Sequence, residues 1–217
     1  PKGYTTKGGR IEKVDKDAVS LLEEKYGFRI ENRSAYGQTL HKIYERRMVE
    51  RYIEDTRGEK DRTAVFCIGG NDSDFDWAAV AAAPHGEHRC KTDPEDFVRK
   101  YSEIIAQLRE AGCEPVLSTL PPLCAERYLK WFCRDGVDMD AVLFWLGDAQ
   151  AIYRWQEYYS HLVERVAQLN GCNVMQLRDA FLVTPQKHGD RMCDDGIHPN
   201  RKGQDLIYET IRKKFNP

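Results

Sequence analysis

Thr63-Ala64-Val65-Phe66-Cys67-Ile68 is a near-continuous apolar run, and Gly69-Gly70 stops it at once. A strand with apolar residues on both faces belongs inside a parallel sheet whose two faces are covered. Pro115 to Thr119 repeats the pattern and stops at Leu120-Pro121-Pro122, and Cys172 to Gln176 is a third such segment. Phe28 to Asn32 reads as a further short strand. Helical patterns separate them: Lys16 to Lys25, Gln38 to Arg51, and a helix opened by Thr92-Asp93-Pro94 and closed by Gly112. A long amphipathic helix is expected from Ala149 to Leu169, closed by Gly171, and a terminal one from Arg201 to Lys214. This alternation predicts an α/β fold, a parallel sheet covered by helices.

With 217 residues and no internal repeat or low-complexity linker, residues 1–217 are expected to form one domain. A formal charge of −2 gives no electrostatic reason to expect nucleic acid or an anionic membrane as partner. No apolar run approaches the roughly 18–20 residues of a membrane span. The start Pro-Lys-Gly-Tyr does not read as a signal peptide, so a cytoplasmic location is the expectation. Seven cysteines without a Cys-x-x-Cys pair read as reduced thiols. His85, His88 and Cys90 cluster ligand types, but nothing completes a tetrahedral zinc set, and no metal is expected.

The connection at about 123–149 breaks the rhythm. It carries Tyr128, Trp131, Phe132, Phe144 and Trp145, interrupted by Arg134-Asp135-Gly136. It is far longer than the usual 2–6 residues of a strand-to-helix loop. As an aromatic-rich insertion it either walls a binding site, covers the sheet, or pairs two copies of the chain into a homo-oligomer. Tyr128 and Trp131 are its candidate substrate contacts.

Three turns carry chemistry. Asp195-Gly196-Ile197-His198-Pro199-Asn200 places an acid three residues before a histidine on one short loop. A histidine works as a base when a carboxylate fixes its tautomer and supports the imidazolium. Gly69-Gly70-Asn71-Asp72 comes directly after the best strand, where open parallel sheets bind their ligands. Asn71 offers an amide donor there, and Asp72 is a candidate substrate contact. Asn32-Arg33-Ser34-Ala35-Tyr36-Gly37 is a comparable turn, whose glycine can aim a backbone N–H at the same cleft. Two donors aimed at one oxygen stabilise an acyl-transfer intermediate.

In order and separation these three blocks resemble the second, third and fifth sequence blocks of the SGNH (GDSL-type) hydrolases, over essentially the whole chain. The resemblance implies a three-layer α/β/α sandwich with a flavodoxin-like parallel sheet. It implies an ester hydrolase, of the lipase, acylhydrolase or carbohydrate deacetylase kind, acting on a small ester or acetylated carbohydrate. His198 becomes the general base of a Ser-His-Asp triad, Asp195 its orienter, and Gly37 N–H and the Asn71 side chain the oxyanion donors. No cofactor is implied.

The chain departs from the family in its first block. No Gly-Asp-Ser occurs, and no apolar strand precedes Lys16. Pro1-Lys2-Gly3-Tyr4 resembles the family's residues just after the nucleophilic serine, which places that serine about two residues before Pro1. The first strand of such a sheet is central, and its loss leaves buried backbone groups unpaired at about 1–3 kcal/mol each. A strand ending in Gly-Asp-Ser is therefore expected upstream. Within the chain, Thr5 overlays the serine only if no strand precedes it. Ser34 reads as a turn residue, Cys193 as a packed strand end, and Asp194 as the wrong spacing for the acid. The alternative to an enzyme is a silent binding module with the cleft but no nucleophile.

Overall fold

The computed structural model describes residues 4–7, 10–27, 29–183 and 190–215. Of the positions singled out above, Pro1 to Gly3 and Phe28 lie outside the described residues. The chain starts with an antiparallel pair, β1 (Tyr4–Lys7) and β2 (Arg10–Lys13), in which Thr5 lies opposite Glu12. Helix α1 (Ala18–Tyr26) is capped by Asp17, whose carboxylate accepts from the Ser20 N–H, and stops at left-handed Gly27.

The single helix expected from Gln38 to Arg51 is two, α2 (Leu40–Glu45) and α3 (Met48–Asp55). Arg47 between them has φ +49°, a left-handed conformation that no α-helix continues through.

The sheet is parallel. Strand β3 (Arg62–Phe66) pairs with β4 (Cys113–Ser118), Ala64 opposite Pro115, and β4 pairs with β5 (Asn173–Met175), Leu117 opposite Val174. Two segments connect these strands. The first carries α4 (Trp77–Ala82) and α5 (Pro94–Glu110); the second carries α6 (Ala125–Cys133), α7 (Met139–Leu146) and α8 (Gln150–Asn170). Helices α9 (Leu177–Val183) and α10 (Arg201–Phe215) come after β5.

Alternation along the strands sorts the helices into two layers. Ala64, Phe66, Leu117 and Val174 face a core built from α2, α3, α5 and α8, centred on Phe97, Tyr101, Ile104, Tyr159 and Val163. Met175, one residue on from Val174, turns to the other side and joins Ala18, Leu177, Phe181 and Ile207 of α1, α9 and α10. A third cluster, around Trp77, Val80, Leu129, Val142 and Ile152, joins α4, α6 and α7 to the start of α8. Residues 123–149 thus fold as helices in their own cluster.

Two expectations need correction. Residues 29–32 belong to no strand; a strand exists only by pairing, and no described residue pairs with them. The run at Thr63 to Ile68 reads as a buried strand, yet Val65 is 57% exposed. Among the described residues β3 pairs only with β4, so its other edge carries no partner there.

Candidate active site

The loop after Met192 is held by its own backbone. Cys193 N donates to His198 O at 2.7 Å, Gly196 N to Cys193 O at 2.9 Å, and Asn200 N to Arg191 O at 2.9 Å. Gly196 has φ +75°, and a Cβ there would sit 2.6 Å from the Cys124 carbonyl and 3.0 Å from Tyr128 N. No other residue type fits this turn.

The turn folds Asp195 under His198. Asp195 Oδ2 lies 2.6 Å from His198 Nδ1, while Oδ1 accepts from Ile197 N at 2.9 Å and His198 N at 3.0 Å. Burial raises the affinity of the Asp195 carboxyl for its proton, but hydrogen bonds from the His198 ring, His198 N and Ile197 N outweigh it. The net shift is downward. Asp195 is fully buried, and the His198 side chain is 22% exposed. An ionised carboxylate thus fixes the ring through Nδ1. Asp194, its competitor, is exposed.

His198 lines a cavity of about 640 Å³, shared with Gly69, Gly70 and Asn71 after β3 and with Leu120 and Pro121 after β4. The cavity therefore opens at the carboxyl ends of parallel strands, the usual ligand position in such sheets. Asn71 Nδ2 donates to Gln38 O at 3.1 Å. An amide nitrogen carries two hydrogens, so one remains for a ligand. That bond ties the Asn71 turn to the residue after Gly37, whose φ is +64°. Tyr36, on the other side of Gly37, stacks over the His198 ring with centroids 6.0 Å apart. Tyr36 thus brings the second block against the His198 ring, while Gly37 itself is not among the cavity residues and its neighbour Gln38 is.

The candidate substrate contacts fall differently. Tyr128 lines the cavity and donates its hydroxyl to Asp74 Oδ1 at 2.9 Å. Asp72 is fully buried beneath it; its Oδ1 accepts from Leu40 N at 2.8 Å and Thr92 Oγ1 at 2.6 Å. It fastens α2 and the segment before α5 to the Asn71 turn. Trp131 is not among the cavity residues and instead stacks under the Arg134 guanidinium, 3.6 Å from its ring centroid. The two lie one turn apart on α6, and of them only Tyr128 lines the cavity.

The other candidates are also placed. Ser34 N donates to Asn32 Oδ1 at 3.1 Å in a local turn, and Cys193 is buried. His85 meets Phe144 edge-on, His88 meets Trp145, and Cys90 Sγ lies 3.1 Å from Tyr159 Oη. Among the described residues no three metal-binding side chains converge.

Three features of the site go beyond the roles the motifs assign: Tyr36 over His198, the Asp74 network, and a clamp from α6. Asp74 accepts from Trp77 Nε1 at 2.8 Å and pairs with Lys91 at 2.6 Å. Arg127 on α6 forks onto Asp190 at 2.5 and 3.0 Å and reaches Cys193 O at 3.1 Å. Of these only Tyr36 carries a signal in the sequence, its place beside Gly37.

The profile of the GDSL-like lipase/acylhydrolase family matches residues 5–206. This chain belongs to that family. No curated protein sequence matches it significantly. Among solved structures, this GDSL-family chain is similar to an acetyl xylan esterase, with TM-score 0.61 and 20% identity over 91% of this chain and 90% of that one. It is also similar to the acetylxylan esterase of Geobacillus stearothermophilus, with TM-score 0.60 and 15% identity over 100% and 87%. A third is an alpha/beta hydrolase from the metagenome of Lake Arreo, Spain, with TM-score 0.60 and 20% identity over 92% and 81%. Catalytic mutants of the Geobacillus enzyme, one with a serine and one with a histidine replaced by alanine, match the GDSL-family chain alike. At these identities the likeness establishes the shared fold, a mixed α/β architecture with a parallel sheet.

Proposed function

We propose that this chain is the greater part of a serine-dependent carboxylic ester hydrolase. The observation that carries the reading is the 2.6 Å contact of buried Asp195 with His198 Nδ1, at the cavity that Asn71 also lines. His198 is the general base and Asp195 its orienter. The second Asn71 amide hydrogen and the Gly37 N–H are the oxyanion donors. Neighbours that are acetylxylan esterases favour a short acyl group on a carbohydrate.

The nucleophile in this reading is a serine on a strand upstream of Pro1. The edge of β3 that no described residue pairs with, and the exposure of Val65, support it, because that is where the central strand of a flavodoxin-like sheet lies. Thr5, in the hairpin opposite Glu12, has no described strand before it to aim it.

The chemistry then balances at each step. The serine oxygen attacks the ester carbonyl carbon as His198 takes its proton. The oxyanion draws hydrogen bonds from Gly37 and Asn71. The intermediate collapses, the C–O bond breaks, and the leaving alcohol takes the proton from His198. Water repeats the sequence on the acyl-serine and releases the acid.

The test uses protein carrying its upstream sequence. It should hydrolyse p-nitrophenyl acetate, and His198→Ala should lower kcat by about a thousandfold or more. A fluorophosphonate should label a serine upstream of Pro1. Undiminished turnover in His198→Ala, or a label elsewhere, overturns the reading. A folded protein with neither hydrolysis nor label is a binding module instead.

A further inference from the structure

Gly37 is bent for its place in the site and, by itself, free to leave it. Its φ of +64° is a left-handed conformation that glycine adopts without strain. The residue sits in a turn outside every helix and strand, so no ladder fixes its peptide planes. Packing does not fix them either. Beyond its chain neighbours, a Cβ at Gly37 would meet one atom within 4 Å among the described residues, Lys42 Nζ at 3.9 Å. The freedom that lets a glycine make this turn leaves its N–H with no wall to set its direction.

Three tethers hold the turn instead. Upstream, Tyr36 stacks on the His198 ring. Downstream, the Gln38 carbonyl accepts from Asn71 Nδ2 at 3.1 Å. Between them the Gly37 carbonyl accepts from Lys42 Nζ at 2.8 Å. Of the three, only the lysine touches Gly37 itself. Lys42 stands on α2, whose start is fixed: Lys42 N donates to Thr39 Oγ1 at 3.2 Å, and Leu40 N donates to the buried Asp72. Third after a threonine cap, position 42 is where a Glu or Gln ordinarily turns back to the cap's own N–H. A lysine cannot accept from an N–H, and this one reaches past the cap to the glycine carbonyl.

The peptide planes on either side of a glycine turn by rotation about its φ and ψ. A donor on its carbonyl oxygen fixes the plane of the Gly37–Gln38 peptide. With Tyr36 held on the other side, the Gly37 N–H keeps one direction. An oxyanion donor works when it is aimed before the charge develops, at about 2.7–3.1 Å from the oxygen. Lys42 is exposed, so its bond adds little to global stability. A small bias still decides which of several turn conformations is filled.

We propose that Lys42 is a positioning residue for the hydrolase reaction: its hydrogen bond to the Gly37 carbonyl keeps the Gly37 N–H aimed as an oxyanion donor. This assignment rests on the hydrolase reading above. Lys42 touches no reacting atom; the glycine supplies the donor and the lysine aims it.

The test uses p-nitrophenyl acetate and protein that carries its upstream sequence. Lys42→Met keeps the length of the side chain and removes the donor. It should lower kcat by about ten- to thirtyfold, less than the roughly 10²–10³ that follows loss of a whole oxyanion donor. KM should stay within about twofold, because acylation and deacylation use the same donors and slow together. Lys42→Arg keeps a donor of similar reach and should return kcat to within about threefold of the parent. The thermal midpoints of both variants should stay within a few degrees of the parent. An unchanged kcat in Lys42→Met, or an equal loss in Lys42→Arg, overturns the proposal.

Failure of the hydrolase reading is separable, because the aim of the turn is also read without catalysis. Nitrogen relaxation and relaxation dispersion together cover fast and slow motion of the Gly37 amide. In the parent the amide should be rigid, with an order parameter near about 0.85; it should gain motion in Lys42→Met and not in Lys42→Arg. If none of the three proteins cleaves the ester, the hydrolase reading fails, and a Gly37 amide that loosens only in Lys42→Met still supports the brace. A Gly37 amide equally still in all three proteins overturns the brace, whatever the rates.

Discussion

Asp195 and Asp72 are both fully buried, and the donors around them push their titrations in opposite directions. For Asp195, burial is outweighed by the His198 ring and two backbone N–H groups, so its carboxyl releases its proton below the ordinary value. For Asp72, burial prevails over the bonds from Thr92 and Leu40, and Oδ2 has no partner among the described residues; its carboxyl holds its proton above the ordinary value. Linkage sets the signs. Asp195 contributes stability above the unfolded carboxylate value, about 4, and that contribution is lost as pH falls through its lower native value. Asp72 does the reverse: the unfolded chain ionises first, so stability is lost as pH rises from about 4 through the raised native value. Asp72→Asn keeps an oxygen for Leu40 and Thr92 and removes the charge. Its stability relative to the parent should rise between pH 4 and pH 8 in urea unfolding; a constant difference sinks the argument. Asp195→Asn should lower kcat by about 10⁴, because the ring then settles in the wrong tautomer; unchanged turnover with p-nitrophenyl acetate counts against it. The acid–histidine pair is readable from sequence because its members are three residues apart on one turn.

Helix α6 has a role at the level of the element that no motif announces. Its first turns touch both halves of the candidate site. Cys124 N donates to Gly196 O at 2.8 Å, Arg127 grips Asp190 and the Cys193 carbonyl, and Tyr128 reaches Asp74 beyond the Asn71 turn. The helix is thus a strut between the loop of His198 and the loop of Asn71, and their separation depends on it. The aromatic content of residues 123–149 suggests a wall, and Tyr128 and Trp145 do line the cavity. The strut is not legible in the sequence, because Arg127 and Asp190 are 63 residues apart and a lone arginine has no pattern. Arg127→Ala should lower kcat for p-nitrophenyl acetate by about ten- to a hundredfold with little change in KM, since a small misplacement of a catalytic group is costly. Arg127→Lys keeps the charge but loses the fork and should fall between. The pair is half exposed, so the thermal midpoint should move by only a few degrees. A lower midpoint with unchanged kcat would mean that Arg127 holds the fold alone.

At the scale of the whole molecule, the local signals and the long-range ones part company. Helix α5 is readable from Asp93-Pro94 at one end and Gly112 at the other, because caps are local chemistry. Strands β3, β4 and β5 are readable as apolar runs, but what pairs with them is not a property of the run. Residues 29–32 show the consequence: a short segment of strand-like composition pairs with no described residue. In a sheet of order 2-1-3-4-5 that segment and β3 would flank the same strand. The proposed upstream strand would account for both departures, the segment that pairs with no described residue and the exposed Val65. Pairing on both edges would close the N–H and C=O groups of β3 to solvent. The prediction is a hydrogen-exchange experiment on protein carrying its upstream sequence, compared with residues 1–217 alone. The amides of β3 that point away from β4, and those of 29–32, should exchange slowly only in the longer protein, while those of β4, already paired on both sides, should differ least. Equal protection of β3 in the two proteins would place the nucleophile's strand elsewhere, and with it the serine proposed to face His198.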